Sequence, residues 1–148
     1  MGDALPIDPD RPARRRIQLD VLAVIAVGGM IGATARFELA EALPAEPGRF
    51  PWATFWTNLS GSFALGFLLV LLAERCPPSR YLRPFLATGI LGAYTTMSTY
   101  TVETALLFKD GHAATALLYG VGSLVVGVLL AYAGIVTARL TCRRREPA

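Results

Sequence analysis

The charged residues of this 148-residue chain leave four long stretches almost empty. Val21–Leu39 carries only Arg36 and Glu38, Trp52–Ala73 none, Phe85–Leu107 only Glu103, and Ala113–Ala138 none. Each runs between 19 and 26 residues. A helix needs about 20 predominantly apolar residues to cross a hydrocarbon core of about 30 Å. All four are long enough, so the expected fold class is an all-α integral membrane protein with four transmembrane helices. Only 17% of the residues are charged, against about 25% in an ordinary soluble domain. Mean hydropathy is +0.47. That balance excludes a secreted disulfide scaffold, a disordered tail protein and a soluble enzyme.

The residues ahead of the first stretch are not expected to form a signal peptide. Asp3, Asp8 and Asp10 alternate with Pro6, Pro9 and Pro12 before Arg14–Arg16, and the apolar run that follows is long enough to span. Three regions are expected: a disordered basic arm over 1–16, a four-span domain over 17–140, and a basic tail over 141–148. Four crossings put both termini on one side. That side holds Arg11, Arg14, Arg15, Arg16, Arg75, Arg80, Arg83, Arg139, Arg143, Arg144 and Arg145, against Arg49 and Lys109 on the other. Lys and Arg in short loops stay in the cytoplasm. Both termini are therefore expected inside, in the plasma (cell inner) membrane. Cys76 and Cys142 then face a reducing compartment, and no disulfide is expected. Despite a pI of about 9.2, the basic residues flank spans instead of forming a stripe with interleaved aromatics. The expected surroundings are a lipid bilayer and not nucleic acid.

Turn chemistry separates the stretches. Pro44, Pro47, Gly48 and Pro51 precede the second, Pro77-Pro78 ends it, Pro84 opens the third, and Asp110-Gly111 turns into the fourth. Phe50, Trp52, Trp56 and Tyr81 lie near span ends, as an interfacial aromatic belt would. Small residues recur at helical spacing: Gly28 and Gly32, Ser62 and Gly66, Ser123 and Gly127, and Gly120, Gly127 and Gly134. Lipid offers helices no hydrophobic reason to associate, so these small faces are read as packing surfaces.

Three features are expensive in hydrocarbon. The first is Thr88–Thr101, which holds five threonines, one serine and two glycines among its residues. Glycine and threonine are poor helix formers. Ten steps from Phe85 to Thr95, about 15 Å at about 1.5 Å per residue, bring this run to the bilayer centre. It reads either as a helix broken at mid-membrane, its freed carbonyls open to a cation, or as an unbroken helix whose hydroxyls bond back to its own carbonyls. The second feature is Asn58, which an interhelical hydrogen bond would satisfy, or which lends its NH₂ to a dehydrated anion. The third is Arg36, which either pairs locally with Glu38 or Glu41 or supplies positive potential to a water-filled vestibule. Glu103 is read as a structural hydrogen-bonding group and His112 as a solvated loop residue. No metal-ligand cluster, nucleophile–base set or phosphate loop occurs, so no enzyme is expected.

Three segments now resemble the CrcB/Fluc fluoride channels: Gly28-Gly29-Met30-Ile31-Gly32-Ala33-Thr34-Ala35-Arg36, Thr57-Asn58-Leu59-Ser60-Gly61-Ser62-Phe63, and Gly89-Ile90-Leu91-Gly92-Ala93-Tyr94-Thr95-Thr96-Met97-Ser98-Thr99-Tyr100. With the four-span plan, the resemblance covers roughly 27 to 137. It implies a fluoride-specific channel that exports cytoplasmic fluoride passively through an antiparallel dimer with two pores. It further implies that broken third helices cross at the centre, where carbonyls of Gly92 and Thr95 hold a structural sodium ion. Asn58 would contact fluoride, and Met97 and Tyr100 would stand where two aromatic rings present their edges, which carry the positive part of the quadrupole. Arg36 would sit in the vestibule, with Tyr119 and Ser123 on a polar track along the fourth span.

Two positions depart from that pattern. Met97 is a thioether without a positive edge, so this chain's own contribution to a pore is expected to be impaired, and Gly127 stands where a hydroxyl is usual. An antiparallel homodimer requires one chain to insert both ways, which eleven basic residues against two disfavour. The expected partner is therefore a paralogous subunit of opposite bias. Two other classes remain open. A small multidrug-resistance-type proton-coupled transporter wants a carboxylate deep in the first span, and Val21–Ala35 has none. A non-transporting membrane scaffold needs no broken helix.

Overall fold

The computed structural model describes residues 18–74 and 79–143. The expected basic arm over 1–16, Cys76, the Pro77-Pro78 stop, the Cys142 thiol and most of the basic tail lie outside what it describes. The described residues are helical, without strands. Helix α1 is Leu19–Ala42 and α2 is Trp52–Glu74. A π-wound segment, Pro84–Leu91, runs into a short α3 at Gly92–Tyr94. Then come α4 at Met97–Lys109 and α5 at Ala113–Arg143. Among the described residues, three helices are long and apolar enough to cross a membrane: Leu19–Ala42, Trp52–Glu74 and Ala113–Thr141. The four stretches of the sequence thus become three continuous helices and one divided segment.

Backbone-to-backbone contacts sort these elements into two pairs. The alpha carbon of Gly32 lies so near the Ile90 carbonyl that a side chain there would collide with it, and Gly28 abuts Gly89 in the same way. Near the start of both elements, Arg80 and the Tyr81 hydroxyl reach Asp20 at 2.9 and 2.8 Å. Residues 20, 28 and 32 therefore meet 80, 89 and 90 in order, so α1 and the segment 84–94 run parallel. The Asp20 carboxylate, facing Tyr81, holds that phenol above its usual pKa.

The other pair is α2 with α5. Gly66 abuts the Ala131 carbonyl, Gly134 abuts the Phe63 carbonyl, and Gly127 faces Ser62. This pair is parallel too, and the register that matches 66 with 131 brings Arg139 level with Glu74. The small-residue faces legible in the sequence are thus intramolecular seams of the kind that lets helices approach in lipid. Leu19, Arg83 and Arg139 share one end of the bundle, and Gly48 and His112 meet at the other, the His112 ring lying over Gly48. Among the described residues, Arg80, Arg83 and Arg139 are on the first end and Arg49 and Lys109 on the second.

Few side chains are deeply buried. Leu107, Ala116 and Tyr119 form a core cluster with Phe50, Phe55 and Tyr100 packed against it. Leu117, Leu118, Val121, Leu124, Val128 and Leu129 of α5 are exposed instead. Water would not tolerate that apolar face, whereas lipid is its natural solvent.

The π-winding of Pro84–Leu91 was not legible. Each π turn holds more residues than an α turn because its bonds run from i to i+5. The Gly92 amide straddles the change of winding, donating to the carbonyls of Ala87 and Gly89. Phe85 and Thr95 are therefore closer along the axis than an α-helical rise implies.

Candidate functional site

Helix α3 stops at Tyr94 because Thr95 and Thr96 adopt extended backbone, with ψ of 155° and 120°. Helix α4 restarts at Met97 with Thr96 as its N-cap. The Thr96 hydroxyl accepts the Thr99 amide at 3.2 Å and donates to the Thr99 hydroxyl at 2.9 Å. Threonine suits that place because its oxygen satisfies an otherwise orphaned N–H of the first turn.

The interruption is held from α2. Asn58 Nδ2 donates to the Thr96 carbonyl at 2.9 Å, and the Thr96 amide donates to Asn58 Oδ1 at 2.8 Å. An asparagine side chain is an amide, so it pairs with an extended residue as a neighbouring strand would. Ser60 and Tyr94 add a hydroxyl–hydroxyl contact of 2.9 Å between the same elements. Gly61 leaves room for the Thr95 methyl, which would overlap any side chain there.

This arrangement turns two amides away from the carbonyls they would reach in a continuous helix. In a continuous helix the Thr96 amide would bond the Gly92 carbonyl, and the Thr99 amide the Thr95 carbonyl. Here the first goes to Asn58 and the second to the Thr96 hydroxyl. Thr95 itself stays tied to the Leu91 carbonyl through both its amide and its hydroxyl, each at 3.0 Å. Gly92 is exposed, and Met97 is 73% exposed beside the interruption.

A second polar centre lies along α4. Glu103 accepts the Thr54 hydroxyl at 2.9 Å and the Tyr119 hydroxyl at 2.6 Å, joining α2, α4 and α5. Tyr119 is fully buried. Its ring meets Tyr100 at 5.3 Å between centroids and Phe50 edge-on at 5.3 Å. The Tyr100 hydroxyl donates to the Gly120 carbonyl at 2.6 Å. Ser123, one turn beyond Tyr119, is 7% exposed, and its hydroxyl has no partner among the described residues. Arg36 is half-buried on α1 and forms no ion pair among the described residues, neither with Glu38 nor with Glu41.

Of the residues singled out from sequence, the structure brings Asn58 to Thr96, between Thr95 and Met97, and brings Tyr100 to Tyr119. Ser123 follows Tyr119 on the same helix. Arg36 stands apart on the second half of α1. Thr96 and Thr54 are the partners that sequence reading did not single out. The hydroxyl just ahead of a restarting helix was the available signal for Thr96. Nothing local marks Thr54, whose carboxylate partner is 49 residues away. Among the described residues, no group of three or more His, Cys, Asp or Glu side chains could hold a metal.

These features define a multi-pass membrane protein, helical throughout its described residues, whose Asn58 amide, Glu103 carboxylate, hydroxyls and freed backbone groups gather between apolar helices. Residues 23–135 match the family described as "CrcB-like protein, Camphor Resistance (CrcB)", and the chain belongs to that family. It is 43% identical to "Fluoride-specific ion channel FluC 3" of Streptomyces avermitilis over 89% of this chain and 65% of that protein, so it spans just under two thirds of that relative. It is 46% identical to FluC 2 of the same organism, over 73% of this chain and 71% of the relative. With FluC of Magnetococcus marinus the identity is 44%, over 80% of this chain and 98% of the relative. These relatives are named as ion channels, a class without enzymatic activity.

Proposed function

We propose that this chain is a subunit of a fluoride-specific ion channel that lets cytoplasmic fluoride leave passively down its gradient. The relatives' names support the ion. The observation that carries the reading to this chain is the Asn58 clamp, which holds Thr95 and Thr96 extended and leaves the Gly92 and Thr95 carbonyls without their i+4 donors. Such an interruption is stable within a membrane only when protein covers it or it lines a polar cavity. On this reading, residues 84–109 form a fourth crossing broken near its middle, and a second subunit inserted antiparallel covers the break.

The carbonyl oxygens of Gly92 and Thr95 suit a hard cation, and freed carbonyls of interrupted helices are a recurring sodium site. They would hold the structural sodium, which supplies positive charge against crowded carbonyl dipoles. The fluoride path runs past Asn58, Met97 and Tyr100, then Tyr119 and Ser123. Asn58 keeps one N–H beyond the bond to Thr96, and Ser123 keeps its hydroxyl. The hydroxyls of Tyr100 and Tyr119 are committed to Gly120 and Glu103, so their ring edges are what they offer an anion. Arg36, without an acidic partner among the described residues, gives the vestibule positive potential.

The partner is a paralogous subunit of opposite charge bias, and both termini of this chain face the cytoplasm. Two family members in Streptomyces avermitilis support paired subunits as an arrangement open to this family. The test is fluoride efflux from liposomes containing this chain alone and then with the candidate paralogue. Fluoride release with chloride retained is expected, strongest with both chains. Absence of fluoride release from both preparations of folded protein overturns the reading, and chloride leak overturns its selectivity.

A further inference from the structure

A crevice of about 640 Å³ opens between the beginning of α2 and the first half of α5, at the end of the bundle away from Arg83 and Arg139. Phe50, Trp52, Phe55, Leu118, Gly122 and Arg49 line it. Trp52 is 53% exposed and Leu118 65% exposed, so the opening faces outward. At Gly122 an added methyl group would meet nothing within 4 Å. The volume falls in the range of about 300–1,000 Å³ typical of small-molecule sites. Left empty, such a hollow forfeits dispersion contacts along its walls. Thr115 and Arg49 are the polar side chains of an otherwise apolar lining, so ordered water, which needs two or more polar partners, would fill little of it. In a bilayer the matching occupant is an acyl chain.

The charges at the crevice narrow the choice of lipid. Arg49 contacts Glu46 at 2.7 Å, and both side chains are well exposed. A positive and a negative group therefore stand side by side at the edge of an apolar hollow, level with the aromatic residues expected at the membrane surface. A headgroup carrying both a phosphate and a primary ammonium complements the pair, phosphate toward Arg49 and ammonium toward Glu46. A purely anionic headgroup would satisfy Arg49 but meet the adjacent Glu46 carboxylate, and the other charges at this end, Glu41 and Asp110 with Lys109, add no net attraction for an anion. We propose that the crevice is a binding site for one zwitterionic aminophospholipid, phosphatidylethanolamine, with an acyl chain against Phe55 and Leu118 and its headgroup across Arg49 and Glu46.

Native mass spectrometry of the full chain, delipidated and then supplied with phosphatidylethanolamine or phosphatidylglycerol, tests this. The unmodified chain is expected to retain one phosphatidylethanolamine under activation that strips phosphatidylglycerol. Gly122→Leu fills the hollow and should lower phosphatidylethanolamine retention about tenfold, equivalent to about 1.4 kcal/mol. Glu46→Gln should reverse the preference toward phosphatidylglycerol, and this arm does not rely on the Leu variant folding. Equal retention of the two lipids by the unmodified chain overturns the proposal, as does a Glu46→Gln preference that stays unchanged. Undiminished retention in folded Gly122→Leu also overturns it, and a change of oligomeric mass alongside would assign the crevice to a second copy instead.

Discussion

Asn58 and Glu103 each resolve a local cost by reaching a distant element. Asn58 satisfies both backbone groups of Thr96, a residue only 8% exposed. Leaving a buried donor or acceptor unpaired costs about 1–3 kcal/mol. Asn58→Ala should therefore lower unfolding stability in detergent by about 2–5 kcal/mol and abolish fluoride efflux. Retained stability would mean that the interruption holds without α2. Glu103 and Tyr119 call for a different measurement because each also has other partners. A double-mutant cycle of Glu103→Gln with Tyr119→Phe, read by thermal unfolding, should give a coupling of about 1–3 kcal/mol. A coupling near zero would reduce the 2.6 Å contact to a bystander. Both residues were legible as anomalies, since an amide and a carboxylate inside apolar runs must find partners. Their partners were not legible. Thr96 lies 38 residues from Asn58, and only the folded register decides which of five nearby threonines an amide meets.

Helices in lipid cannot be held by hydrophobic burial, so the pairs α1 with 84–94 and α2 with α5 depend on how closely their backbones approach. At Gly66 the neighbouring atom is the Ala131 carbonyl, and at Gly134 it is the Phe63 carbonyl, neither of which can rotate away. Gly66→Leu should cost about 1–3 kcal/mol, the range for overpacking a closed contact. Gly122→Leu, facing open space, should change the same unfolding transition by less than about 0.5 kcal/mol. Equal effects at the two positions would show that the α2–α5 seam is looser than its geometry. The spacing of small residues announced these seams, because a period near four places them on one helical face. What spacing withheld was the choice of partner. The same pattern serves a neighbouring helix of this chain or a helix of another, and here Gly28, Gly32, Gly66 and Gly134 all face inward to the same chain. Charge-poor length likewise announced the helices, though α1 reaches Leu19–Ala42 and α5 extends to Arg143 because flanking polar residues continue a helix once its core is set. The π-winding had no such signature. Proline at the start and glycine within would also suit an α-helix.

Across the whole molecule, the inward-facing seams leave one side of the break uncovered. Gly92 and Met97 are exposed, and the Gly92 and Thr95 carbonyls lack their i+4 donors, in a chain whose remaining surface is largely apolar. A bilayer cannot supply those groups with hydrogen bonds, so the partner-subunit reading assigns their cover to a mate and not to lipid. That assignment separates folding from assembly at one residue. A side chain at Gly92 would meet only the Ala87 carbonyl, at an ordinary 3.7 Å, so Gly92→Leu should fold much as the parent does, with unchanged helical circular dichroism and a transition shifted by less than about 1 kcal/mol. On that reading its assembly should fail, because the leucine would project where the two interruptions cross. With the candidate paralogue present, light scattering in detergent should then give the mass of a single chain, sodium should no longer raise thermal stability, and fluoride efflux should be lost. Gly122→Leu, remote from the interruption, should leave the assembled mass intact. If Gly92→Leu assembles and conducts like the parent, the interruption does not face a mate, and the non-transporting scaffold becomes the better account of the same fold.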